Sequence, residues 1–144
     1  FDLMRTADWL VANEGVMFHT TYSLIWVQML HDVYMITGRK EILDYCEPAL
    51  KVLIDRFESY KGENDIIDNP PDFMFVDWTV IDGFSMHHPP KALGQTVLNC
   101  FYYNALVYAE KIYSYLDETA VAEDLKNKAS VFLLYPYRHS AFIA

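Results

Sequence analysis

Residues 22–38 read YSLIWVQMLHDVYMITG, and their pattern sets the fold class. Tyr22, Ile25, Trp26, Met29, Leu30, Val33 and Tyr34 recur at the i, i+3, i+4, i+7 spacing of one helix face. Leu24, Val27, Met35 and Ile36 fill the other sides, so few polar positions remain. A helix apolar nearly all round is expected to be buried on both faces. His31 within it reads as a satisfied core histidine. Gly38 is the candidate C-cap, because glycine enters the left-handed region without steric cost.

The segments on either side have a different character. Residues 40–60 place Ile42, Leu43, Cys46, Leu50, Leu53, Ile54 and Phe57 on one stripe, and Asp44, Lys51, Asp55 and Glu58 on a solvated face. That is an outer helix, which Pro48 is expected to kink or restart. The order then repeats. A helix over about 93–116 is apolar all round at first, and one over about 119–132, capped by Asp117 or Thr119, carries Glu123, Asp124, Lys126 and Lys128. With a short helix over about 2–12 (Leu3, Ala7, Leu10 and Val11 on one side), the chain reads as an all-α stack of α-hairpins in one domain spanning 1–144. FYYNALVYAEKIYSYLD, residues 101–117, laid on residues 22–38, supports the repeat.

Between the third and fourth helices lies the long segment PPDFMFVDWTVIDGFSMHHPPKALGQT, residues 70–96. Long irregular connections in compact domains are functional or disordered, and this one is too aromatic for disorder. DIID and FMFVDW flank Asn69-Pro70-Pro71-Asp72, which predicts a small β-hairpin across that turn. Asp77 beside Trp78 is the sharpest candidate site: a carboxylate takes sugar hydroxyls as hydrogen bonds while an indole face covers the C–H side of the ring. The plainer reading makes Asp77 a turn cap and Trp78 a packing residue. Asp65, Asp68, Asp72 and Asp82 are ordinary loop carboxylates on this reading. His87-His88 suits loop polarity or substrate hydrogen bonding. No metal or other cofactor is expected, because no helical His/Glu spacing supplies further ligands.

Composition narrows the partners. A net charge of −9, with basic residues scattered, argues against nucleic acid, which needs clustered Lys and Arg. Residues 92–109 carry no formal charge, yet Gly94, Gln95, Asn99 and Asn104 make a buried helix the better reading than a membrane span. Cys46 and Cys100 are too few for a disulfide framework and read as buried thiols. Three tryptophans, eleven tyrosines and nine phenylalanines in 144 residues would suit carbohydrate stacking at the ends of the inner helices, although most follow the core stripes.

TTYSLIWVQMLHDVYMITGRKEIL (20–43), FVDW (75–78) and ALGQTVLNCFYYNALVYAEKIYSYLDE (92–118) together resemble the catalytic domain of bacterial α-L-rhamnosidases, glycoside hydrolase family 78. The resemblance spans roughly residues 15–128. It implies part of an (α/α)6 barrel and an inverting hydrolase that acts on rhamnose-containing glycans. It carries Asp77 and Trp78 over as sugar-binding residues, with Phe75 in the family's aromatic position and Gln95 at the entry to an inner helix. Val76 stands where the family often has glycine. The family's upstream Asp followed by Arg-Glu and its later base Glu have no counterpart here, so no catalytic residue is assigned. The expectation is therefore an incomplete barrel domain, inactive alone, whose exposed inner helices favour dimerisation. The alternatives are another six-hairpin carbohydrate-active enzyme, a degenerate sugar binder, or a non-catalytic helical scaffold that binds protein.

Overall fold

The computed structural model describes residues 2–68 and 74–139, with the side chains of 134–139 excepted. Five helices carry the fold: α1 (Leu3–Ala12), α2 (Thr20–Thr37), α3 (Lys40–Glu58), α4 (Lys91–Tyr115) and α5 (Thr119–His139). Each boundary has a local cause. Asp2 caps α1 by accepting from the Met4 and Arg5 amides. Gly38 closes α2 at φ 63°, its amide bonded to the Tyr34 carbonyl, which is the left-handed cap expected of glycine. Pro90 precedes α4, where its fixed φ suits a helix entry.

The helices form two antiparallel layers. α1 lies along α3, with the Tyr45 hydroxyl on Asp8 and the Arg56 guanidinium on Glu14. α2 lies along α4, with Asn104 donating to Gln28 and the His31 and Tyr108 rings 4.9 Å apart. In both pairs the contacts advance together along the chain, so the partners run parallel. α5 packs antiparallel on α4. The core between the layers is continuous and contains Leu24, Trp26, Val27, Leu30, Leu43, Leu50, Leu53, Phe57, Tyr102 and Leu106. Burying each leucine contributes about 1.5–3 kcal/mol.

Several expectations are corrected. α2 is not buried all round: Tyr22, Met35 and Ile36 are exposed, Ile36 at 84%. Its buried residues are Thr20, Thr21, Ser23, Leu24, Trp26, Val27, Leu30 and His31, so of the expected stripe only Trp26 and Leu30 are fully buried. Val11 of α1 is also exposed. Pro48 does not restart α3, which continues through it on the exposed side. Asp117 does not cap α5 but turns at φ 65°, and Ala122 bonds to the Glu118 carbonyl. α5 also runs beyond the expected end at 132.

Glu58 moves from the solvated face to a half-buried position, where it accepts from the Tyr102 hydroxyl. Lys61 lies 3.2 Å and Lys128 3.9 Å from it, so one carboxylate links α3, α4 and α5. Removing either side of such a pair leaves a charge that must be desolvated without compensation.

The β-hairpin forms at a different place. β1 (Val80–Ile81) and β2 (Phe84–Ser85) pair antiparallel around Asp82-Gly83. Asp82 at φ 51° and Gly83 at φ 83° give the two left-handed residues that a two-residue hairpin turn demands. The expected turn at 69–72, with Phe73, lies outside the described residues. Ile67 pairs instead with Lys61 in a single antiparallel bridge. The Asn99 side chain then takes both backbone groups of Ile67, at 2.9 and 2.8 Å, and so ties this segment to α4.

The two thiols differ. Cys46 is buried in α3, and burial pushes its thiol up to about 11. Cys100 is exposed on α4, contrary to expectation. The thiolate is the nucleophile, so iodoacetamide at pH 8 is expected to add one label, at Cys100, with Cys46 labelled only after denaturation. Mass spectrometry of the digested protein reads the outcome, and rapid labelling of Cys46 in the native state would contradict its burial.

Candidate functional site

The parallel pairing of α2 and α4 brings their N-terminal ends to one end of the molecule, and the segment 74–90 covers that end. Local hydrogen bonds shape it. The Met86 carbonyl accepts from the Val76 and Asp77 amides at 3.0 and 3.2 Å, and the Met86 amide returns to the Thr79 carbonyl at 2.9 Å. Met86 is itself buried, so residues 76–79 wrap a fixed point. The Thr21 hydroxyl donates to the Phe75 carbonyl at 3.1 Å, which fastens the segment to the first turn of α2.

This fastening builds a cluster of rings. Phe75, only 1% exposed, is the hub. His19 meets it edge-on at 4.5 Å, Tyr22 at 5.3 Å, Trp78 at 5.3 Å and His87 at 5.6 Å. Trp78 lies 4.6 Å from His87 with the planes 30° apart, and its indole is 69% exposed. Edge-on and offset contacts are the favoured arrangements of aromatic quadrupoles and stabilise by about 0.5–1.5 kcal/mol per pair beyond area burial. The buried hub thus holds an exposed indole in a fixed attitude.

The four candidate residues divide. Phe75 and Trp78 are joined in the ring cluster. Asp77 is exposed beside them, and its Oδ1 accepts from the Trp78 amide at 2.7 Å. Its carboxylate therefore stabilises the turn that presents Trp78, as the plainer reading supposed, while Trp78 is not packed away. Gln95 is not in the cluster. It lines a separate groove of about 590 Å³ with Ile66, Cys100, Tyr103, Phe132 and Leu133. Asp82 sits at the tip of the hairpin turn and Asp65 in a left-handed turn at φ 59°, so both have conformational reasons to be acidic turn residues.

Sequence reasoning did not single out His19 and Tyr22. The two stand just ahead of and within the first turn of α2, more than fifty positions before Phe75, and no local pattern joins them to it. The long-range fastening of Thr21 to Phe75 and the ring contacts it allows do so. Among the described residues, no group of three or more His, Cys, Asp and Glu side chains is placed to hold a metal ion. No helix among them is long and apolar enough to cross a membrane.

Chemically, the site offers a flat apolar face beside a carboxylate and imidazoles. That combination can stack on the C–H face of a pyranose and hydrogen-bond its hydroxyls. Comparison with protein-family models, with curated proteins and with solved structures found no match.

Proposed function

We propose that this chain forms part of the sugar pocket of an inverting glycoside hydrolase of the α-L-rhamnosidase kind. The observation that carries the reading is the exposed Trp78 indole, held by Phe75 and His87 at the end shared by the N-termini of α2 and α4. An apolar plate left in water has no structural benefit to the isolated fold, whereas a sugar ring gains from covering it. Two layers, each of parallel helices and antiparallel to the other, are the arrangement a partial (α/α)6 barrel would present, with α2 and α4 as inner helices. The chemistry of inversion needs an acid to protonate the leaving oxygen and a base to activate water. Neither role is assigned to a residue of this chain, whose part is to bind and orient.

Titration of the chain with L-rhamnose, followed by tryptophan fluorescence, tests the proposal. Rhamnose is expected to quench or shift the emission, and Trp78→Ala to weaken binding at least tenfold, about 1.4 kcal/mol. Trp9→Phe should retain the response. A rhamnose response that is identical in Trp78→Ala would remove the site assignment.

A helical scaffold that binds a protein is the second reading, favoured by the apolar groove beside Gln95 on α4 and α5. A scaffold would show no sugar response at all.

A further inference from the structure

The plate does not end at Trp78. Through His19 and Tyr22 it continues into a groove of about 520 Å³ between α1 and the start of α2. Trp9, Phe18, His19 and Tyr22 line that groove together with Met17 and Arg5. The rings are spaced for continuity: Phe18 is 5.1 Å from His19, His19 is 5.4 Å from Tyr22 and 5.7 Å from Trp78. Trp9, Phe18 and Tyr22 are all exposed, as is Trp78. Arg5 adds a guanidinium at the rim, paired only loosely with Asp2 at 3.9 Å, so its five donors remain accessible to hydroxyl and ring oxygens.

We infer that the Trp9–Phe18 groove is a second sugar subsite and that the ligand is an oligosaccharide running from the Trp78 plate past His19 and Tyr22 toward Trp9. The inference rests on the sugar-binding reading of Trp78. The volume falls within the range of small-molecule sites, about 300–1,000 Å³, and the groove adjoins the plate through residues common to both. Exposed Trp and Tyr side chains supply rigid apolar faces with a polar edge, and the charged rim supplies hydrogen bonds. A helix docking on the same surface would gain little from a guanidinium at its border. A glycan, with a hydroxyl on nearly every carbon, gains directly.

Isothermal titration calorimetry of the full chain with L-rhamnose and with an α-L-rhamnosyl-D-glucose disaccharide tests this. The disaccharide is expected to bind roughly tenfold more tightly than the monosaccharide, about 1.4 kcal/mol. Trp9→Ala is expected to erase that gain and leave rhamnose binding unchanged, whereas Trp78→Ala weakens both. Phe18→Ala, at a more exposed position, repeats the test if Trp9→Ala lowers the melting temperature. Equal affinity for the two sugars in the unmodified chain overturns the second subsite and leaves the Trp78 plate standing. A Trp9→Ala variant that weakens both sugars equally also overturns it, because the ring would then act on the plate through structure alone. Binding of neither sugar overturns the subsite and the sugar-binding reading together.

Discussion

Trp26→Ala is expected to lower the unfolding free energy by about 4 kcal/mol, within the 3–5 kcal/mol that large aromatic truncations cost in cores. Trp26 is 0% exposed and ranks among the largest fully buried side chains of the molecule. It sits in the middle of α2, and its indole Nε1 donates to the Leu3 carbonyl at 3.3 Å, so the same side chain fills the core and ties α2 to the first turn of α1. Truncation opens a cavity that the surrounding helices refill only partly. It also removes the hydrogen bond to Leu3, a net contribution of about 0.5–1.5 kcal/mol. A domain of this size has a total stability of roughly 5–15 kcal/mol, so the variant should be close to the edge of folding at 37 °C. Urea unfolding followed by far-ultraviolet circular dichroism measures the change without relying on the indole that was removed. Trp26→Phe should cost less than half as much. A loss below about 1 kcal/mol for Trp26→Ala would mean that this ring is not at the centre of the core.

Gly15→Ala is expected to cost on the order of 3 kcal/mol by two additive routes. Gly15 has φ 86°, and a side chain there adds about 1–2 kcal/mol of backbone strain. A Cβ would also lie 2.6 Å from the Val52 carbonyl oxygen and 2.8 Å from the Leu53 Cα, atoms of the α3 backbone that cannot rotate away. Overpacking of this kind costs about 1–3 kcal/mol. The turn between α1 and α2 is clamped to α3 at the same point, where Arg56 donates to the Glu14 carbonyl at 2.9 Å and pairs with its carboxylate. Relief by displacement would therefore break those contacts. Gly38→Ala provides the control: φ is 63° but nothing lies within 4 Å of the added carbon. It should cost only about 1 kcal/mol. Equal melting temperatures for the two alanine variants would show that α3 gives way, contrary to the close approach at Gly15.

The helical stack was legible in the residues because its signals are local. The 3.6-residue periodicity and Gly38 located α2, and the apolar stripe of residues 40–60 marked the side of α3 that is buried. What periodicity could not settle was which positions of an all-apolar helix stay open to water, so α2 was expected to be buried on both faces although Tyr22, Met35 and Ile36 are exposed. The hairpin was displaced for a different reason. Asp82-Gly83 is a strong turn signal between Val80-Ile81 and Phe84-Ser85, yet the prolines at 70 and 71 drew the turn upstream. At the candidate site, Asp77, Trp78 and Phe75 are neighbours in sequence and could be found there. His19, Tyr22 and Trp9 reach them only through tertiary contacts, and Glu58 left its expected solvated face because Tyr102, forty-four positions away, supplies a buried donor.

The pairing of α1 with α3 and of α2 with α4 also governs how this molecule comes apart. α1 and α5 stand at the two ends of a row with α2, α3 and α4 packed together between them, and among the described residues no contact joins the two ends. Stability in such a row is close to a sum of unit terms and nearest-neighbour couplings, as in a one-dimensional lattice. The central members α3 and α4, held from both sides, are then the last to open, while α1 and α5 fray independently at opposite ends. Amide protection would decline outward from Leu50 and Leu106 in both directions. The Trp78 plate is tied to α2 through Thr21 and Phe75, and α2 rests on both α3 and α4, whereas the Trp9 groove depends on α1, one of the ends that fray.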